Sequence, residues 1–239
     1  MHLHRGFSLV EPTTNDPLAQ AAVADIKDGM VVGLGTGKTS GRAILALAER
    51  VRAENLLVHC VPTSHVTETL ARAHRLNVLD FAMVESVDYL FDGADEVDEQ
   101  FQMLKGMQGA IARQRLVATV AKRRVYLIQE GKLTSRLGTK STLPVVIMHF
   151  ALSVIRAELR NLGLSGVLRR TMNGDLFLTD HGHLILDLMI GDREPFDVAD
   201  ALDHVPGVVD HGLFLDECDE LLIENSAGEI RRLVRPEAD

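Results

Sequence analysis

Apolar and polar positions along the chain fall into short apolar runs that alternate with longer stretches of helical spacing. Asp16-Pro17 opens an Ala-rich stretch reaching Ile26, with Asp as N-cap and Pro at the first helical position. Met30 to Leu34 is an apolar run among glycines, which by length and flanks predicts a buried strand. Ser40 to Arg52 carries Ile44, Leu45, Leu47, Ala48 and Val51 at helical spacing. Beyond it the pattern predicts strands over 56–61, 78–81, 89–91 and 124–128, and helices over 66–74 and 109–121. Strands that alternate with helices imply βαβ crossovers and a mostly parallel sheet covered on both faces. The pattern changes after Pro144. One longer helix is predicted for 145–161, then strands over 176–179 and 184–188 around the turn Asp180-His181-Gly182-His183, and a helix near 196–204. The expected architecture is α/β, with an α/β domain over 1–139 and 206–239 and a smaller α+β unit inserted over 140–205. Residues 1–15, with Pro12, Thr13 and Thr14, predict a loose arm.

Composition narrows the function classes. The 239 residues hold 25 Lys+Arg against 34 Asp+Glu, a formal charge of −9. That balance argues against nucleic acid as a partner, since phosphate backbones need concentrated Lys and Arg. Aromatic residues make up 4% with no Trp, which also disfavours base-stacking platforms. No apolar run approaches the roughly 18 residues of a membrane span, and the N-terminus has no signal-peptide core. A cytoplasmic protein without membrane partners is therefore expected. Cys60 and Cys218 form no CxxC pair and read as small core residues.

Three segments carry candidate chemistry, each directly after a predicted strand. Gly33-Leu34-Gly35-Thr36-Gly37-Lys38-Thr39-Ser40 is a glycine-rich turn into a helix, suited to an anion at the helix N-terminus. Its spacing fits neither a Walker A loop, where Val32 occupies the required glycine position, nor the dinucleotide fingerprint, where Lys38 does. Pro62-Thr63-Ser64-His65-Val66-Thr67 repeats the arrangement at the next strand end, with hydroxyls that cap a helix or hold a phosphate. Asp92-Gly93-Ala94-Asp95-Glu96-Val97-Asp98 puts four carboxylates within seven residues, suited to proton transfer or metal binding. Lys105-Gly106 follows and can neutralise an oxyanion. Three motifs at the carboxyl edge of one sheet coincide with where such folds bind ligands. His181 and His183 read as a solvent-facing turn. Lys122-Arg123-Arg124 reads as the charged end of a helix, complementing its dipole.

Together these segments resemble the ribose-5-phosphate isomerases of the A type. The resemblance runs from about residue 16 to 235, carried by Gly33–Thr39, Thr63-Ser64 with Thr67, Asp92-Gly-Ala-Asp-Glu96, Lys105-Gly106, Lys132 with Leu137-Gly138, Leu143-Pro144, Thr179–His183, and Val205–Val209 with Gly212-Leu-Phe214. It implies a Rossmann-like domain holding the site, a smaller inserted domain used in subunit contacts, and a homodimer or homotetramer. It also implies interconversion of ribose 5-phosphate and ribulose 5-phosphate without metal or cofactor. By motif matching, Gly35, Thr36, Gly37, Lys38, Thr39, Thr63, Ser64, Gly106 and Lys132 bind the phosphosugar. Asp92 and Asp95 serve ring opening and proton movement between oxygens, and Lys105 meets the enediolate oxygen.

One departure bears on the reaction. Where the family has its carbon base, a Glu, this chain has Gln114, and an amide accepts no proton at neutral pH. Met107 and Gln108 replace glycines beside Lys105, and Lys38 replaces a Ser of the phosphate loop. Two functions follow as expectations: an isomerase of ribose 5-phosphate or a related phosphosugar with another base among Asp92, Asp95 and Glu130, or a catalytically impaired phosphosugar binder acting as a sensor or regulatory subunit.

Overall fold

The structure, a computed structural model, describes residues 16–236; the arm expected at 1–15 lies outside them. The elements, in chain order, are α1 (Pro17–Val23), β1 (Val31–Leu34), α2 (Lys38–Glu54), β2 (His59–Pro62), α3 (His65–Ala73), β3 (Asn77–Val78), β4 (Tyr89–Gly93), β5 (Glu96–Val97), β6 (Met103–Leu104), α4 (Ile111–Thr119) and β7 (Arg124–Gln129). There follow β8 (Leu143–Ile147), α5 (Leu152–Asn161), β9 (Ser165–Leu168), β10 (Leu184–Met189), α6 (Pro195–Asp203), β11 (Val208–His211), β12 (Leu213–Phe214), β13 (Glu220–Glu224) and β14 (Ile230–Val234).

Seven strands form the main sheet in the order β14-β13-β7-β4-β1-β2-β3, all parallel except the edge strand β14. The fold is the expected Rossmann-like α/β arrangement, and the chain does return to this sheet at its end. Asp16 caps α1 by accepting the Ala19 N–H at 3.0 Å, as its place before Pro17 predicts. Apolar faces of α1 and α2 (Leu18, Ala22, Ile44, Leu47) pack on Val32, Phe91 and Leu127 of the sheet. Both cysteines are free and buried, and burial pushes the Cys60 thiol up to about 12.

The helix expected over 145–161 is not there as one piece. Leu143–Ile147 is a fully buried strand, and the helix begins only at Leu152. A continuous apolar run reads the same in a buried strand as in a buried helix, and β-branched Val145, Val146 and Ile147 suit the pleat. Alternation settles which face goes where. Leu143, Val145 and Ile147 join the core beneath α5 and α6, while Val146 packs with Met103, Ile111 and Phe214. Strand β8 is central in a second, antiparallel sheet of order β11-β8-β10-β9. Residues 176–179 contribute only isolated bridges from Leu176 and Leu178, and strand β9 was not predicted. Because β11 pairs with β8, the strands of the second sheet extend past 205 to His211. A three-stranded sheet, β12-β6-β5, links the two.

The cluster Lys122-Arg123-Arg124 lies beyond the end of α4 and does not serve its dipole. Each side chain meets carboxylates instead: Lys122 with Asp88, Arg123 with Asp25 and Glu220, Arg124 with Asp219.

Candidate active site

Strand order places the site. From β1 the chain moves outward to β2 and β3 on one side, then crosses to β4, β7 and β13 on the other. Such a switch opens a crevice at the carboxyl ends of the two central strands, here β1 and β4. Gly35–Gly37 follows β1, and Asp92 is the penultimate residue of β4, so the first and third motifs meet in space.

The cleft there has a volume of about 570 Å³. Its walls include Thr36, Gly37, Lys38 and Thr39 from the glycine-rich turn, Asp95, Lys105 and Gly106, and Gln114 from α4 with Lys132 opposite. Ser40, Arg42, Met107, Gln108 and Gln129 also line it; the sequence placed Met107 and Gln108 beside Lys105, while Arg42 and Gln129 carried no signal. Ser40 lay inside the glycine-rich motif, one helical position after Thr39, which is the one signal that pointed to it. Gly37 begins α2 without a side-chain cap, leaving the helix N-terminus free for an anion.

Asp92 lies under the floor of the cleft, 1% exposed. Its Oδ1 accepts the Thr36 N–H at 3.0 Å, the Gly93 N–H at 2.7 Å and the Ser40 hydroxyl at 3.2 Å. Its Oδ2 accepts Lys105 Nζ at 3.1 Å and Gln114 Nε2 at 2.8 Å. Five donors on one carboxyl hold it as a pure acceptor, tying the glycine-rich turn, Lys105 and Gln114 into one unit. Lys105 is equally buried, also donates to the Gly93 carbonyl, and stands over the Tyr126 and Phe214 rings at 5.0 and 5.5 Å.

Gln114 is 4% exposed. With Nε2 given to Asp92, its Oε1 is buried with no hydrogen-bond partner among the described residues. The polarity of the amide is set by Asp92, because the reverse orientation would press two acceptors together.

Two glycines are required by geometry. A Cβ at Gly35 would stand 2.5 Å from the Asp92 Cα, so only glycine lets β4 end against this turn. Gly106 has φ +111°, and a Cβ there would meet Ile111 and Pro144 at 2.5 and 2.8 Å. Gly35→Ala is therefore expected to cost about 1–3 kcal/mol as an overpacked site. Urea denaturation checks this; unchanged stability would show that the turn can move away from Asp92.

The second motif does not reach the cleft wall. Thr63 and Ser64 are buried behind the turn, where the Thr36 hydroxyl meets theirs at 2.8 and 2.9 Å and that of Thr67 at 3.1 Å. Ser64 also caps α3 through the Thr67 N–H. These hydroxyls hold Thr36 and its turn in place. The acidic segment is similarly divided. Glu96 accepts the Gly138 and Lys140 N–H groups, and Asp98 those of Gln100 and Gln102, so both are spent on backbone. Burial raises the Asp98 carboxyl above its ordinary range against those two bonds. Only Asp95 of the four reaches the cleft wall. Glu130 is exposed and outside it. Among the described residues, no group of three or more His, Cys, Asp or Glu is placed to hold a metal ion. His181 lies exposed on its turn, as expected.

At the cleft rim Arg42 bridges Asp16 and Glu224, joining α1, α2 and β13. Burial pulls the Asp16 carboxyl upward, but Arg42 and the Ala19 N–H outweigh it and hold it below the ordinary value.

The sequence signature of ribose 5-phosphate isomerase A (phosphoriboisomerase A) matches residues 59–228. The chain belongs to the ribose 5-phosphate isomerase A family. It is 40% identical over 206 residues to ribose-5-phosphate isomerase A of Sphingopyxis alaskensis, covering 86% of this chain and 89% of that one. To the protein of the same name from Thermomicrobium roseum it is 39% identical over 219 residues, 91% and 92% of the two chains. Among solved structures it superposes on ribose 5-phosphate isomerase A of Methanocaldococcus jannaschii with a TM-score of 0.86 at 32% identity, covering 91% of this chain and 96% of that one. A D-ribose-5-phosphate isomerase in complex with phospho-erythronic acid gives 0.86 at 31% identity, with the same coverage. Gln114 thus sits in a ribose 5-phosphate isomerase A fold that keeps the glycine-rich turn and Lys105.

Proposed function

We propose that the chain interconverts ribose 5-phosphate and ribulose 5-phosphate through an enediolate, without metal or cofactor. One observation carries this reading: a buried ammonium, Lys105, in the wall of a cleft whose other end is a glycine-rich helix N-terminus. The helix end and Lys132 suit a phosphate, and Lys105 suits an oxyanion forming on the sugar. A neutral open-chain aldose becomes an anion in the transition state, so a fixed cation at O1 favours that state over the bound sugar. Thr36, Gly37, Lys38, Thr39 and Gly106 line the binding cleft, and Gly35, Thr63 and Ser64 act by positioning the turn. Gln114 Oε1 accepts a hydroxyl of the bound sugar.

Lys38 and Lys132 form no ion pair among the described residues, which leaves both charges for the phosphate. Lys132→Ala is expected to weaken phospho-erythronic acid about 10- to 100-fold, the worth of one charge-assisted hydrogen bond. Isothermal titration measures it; unchanged affinity would move the phosphate elsewhere.

Gln114 favours a second reading, a phosphosugar-binding paralogue without turnover. A coupled assay with ribose 5-phosphate, run beside a thermal-shift titration, separates the two. Turnover above background supports the isomerase, and binding without turnover supports the sensor. We also place the protein in the cytoplasm as a homodimer or homotetramer. Among the described residues, no helix is long and apolar enough to cross a membrane, and Phe150, Val154 and Met172 expose apolar surface on the second unit.

A further inference from the structure

With Gln114 at the position of the carbon base, an isomerase needs its proton acceptor elsewhere, and the cleft offers one. Asp92 is withdrawn beneath the floor with five donors on its two oxygens. Glu96 and Asp98 are spent on backbone N–H groups, and Glu130 is outside the wall. Asp95 is the one carboxylate lining the cleft among the described residues. Its Oδ2 accepts the Met107 N–H at 3.0 Å, which fixes the orientation of the group. Its Oδ1 takes no hydrogen bond among the described residues. Met107 is two residues from Lys105, so one short loop orients the carboxylate and supplies the ammonium, and both face the same cleft.

We propose that Asp95 is the general base that removes the C2 proton in this chain; this rests on the isomerase reading above. The Asp95 carboxylate takes the proton from C2 of the open-chain aldose, and the C–H electron pair becomes the C1=C2 bond. The carbonyl electrons move onto O1, where Lys105 meets the charge. Asp95 then returns its proton to C1 while the hydroxyl proton passes from O2 to O1, leaving the ketone at C2. Atoms and charge balance without a co-reactant. Gln114, holding Asp92 on one side and a substrate hydroxyl on the other, positions the sugar.

The test compares wild type, Asp95→Asn, Gln114→Glu and the double variant Asp95→Asn/Gln114→Glu. Turnover of ribose 5-phosphate and loss of its C2 proton in D2O are followed by NMR, and binding of phospho-erythronic acid by thermal shift. Asn keeps an acceptor for the Met107 N–H, so Asp95→Asn is expected to bind yet lose about 10²–10⁴ in turnover and exchange, the worth of a general base. The double variant is expected to regain at least about tenfold, because a carboxylate returns within reach of C2. A ring-opening or structural role would give Gln114→Glu the same fold-gain in the wild-type and Asp95→Asn backgrounds, whereas a shared base role makes the gain larger once Asp95 is removed. Turnover retained in Asp95→Asn overturns the proposal, and so does a binding-competent double variant with no recovery. Wild type that binds but neither turns over nor exchanges overturns the isomerase reading itself, and the base assignment with it.

Discussion

Lys105→Ala lowers ribose 5-phosphate turnover by about 10²–10³-fold, as removal of an oxyanion donor does. It also destabilises the fold by about 3–5 kcal/mol, the cost of breaking one side of a buried ion pair. Both effects have one origin. The ammonium is 1% exposed and sits 3.1 Å from an equally buried Asp92. Deleting it leaves the carboxylate with only neutral donors, Thr36, Gly93, Ser40 and Gln114. Methionine at the same position restores volume but not charge, so Lys105→Met recovers packing and leaves turnover low. Urea denaturation and a coupled assay on the two variants separate the terms. Wild-type turnover in either would show that the developing oxyanion is met by another group.

In the Asp95→Asn background, Gln114→Glu raises turnover by at least about tenfold, part of the roughly 10²–10⁴-fold range of a general base. The gain is much smaller in the wild type, where Asp95 already supplies the base. Glu and Gln are nearly isosteric, so the change is chiefly one of proton affinity. The new carboxyl replaces a donor that lies 2.8 Å from Asp92 Oδ2. Burial and the neighbouring carboxylate both disfavour its charged form and push it above the ordinary carboxyl value. The two sides of the linkage then run oppositely with pH. A folded-state value raised above the unfolded one gives stability that is present at low pH and lost as pH rises through the folded value. The base works only when deprotonated, so turnover climbs over that same interval. A pH–rate profile and melts across pH check both slopes. Met107, half-exposed at the cleft, sets a limit, since a misplacement near 1 Å costs about 10² in rate. If the substitution gains nothing, Met107→Gly and Gln108→Gly are added. A variant so extended that binds phospho-erythronic acid and still gains nothing in the Asp95→Asn background removes residue 114 as a base position. No gain in the presence of Asp95 shows only that another carboxylate already does the job.

How much of this was legible without coordinates follows from the range of the interactions. Asp16-Pro17, the helical spacing of Ile44 to Val51 and the apolar run Val31–Leu34 are local signals, and the elements formed where these signals stand. Three motifs at strand ends were enough to expect one cleft, because a parallel sheet brings the carboxyl ends of its strands to one edge. Family likeness added Lys132, which no periodicity pointed to. Local pattern failed at 143–147, where burial on both faces erases the periodicity that tells strand from helix.

The division of labour within each motif was decided only by tertiary structure. Thr63 and Ser64 look like a second phosphate loop in sequence, yet their hydroxyls are consumed by Thr36, 27 and 28 residues away. Four neighbouring carboxylates look alike until Glu96 finds Gly138 and Lys140, and Asp92 finds Lys105 and Gln114. The sequence by itself determined the α/β framework, the cleft and the charged groups delivered to it, because those rest on periodicity and on turn chemistry within a few residues. Which carboxylate keeps its place in the cleft wall was left to tertiary structure, because that depends on donors brought in from distant parts of the chain, and a satisfied carboxylate and a free one are the same letter.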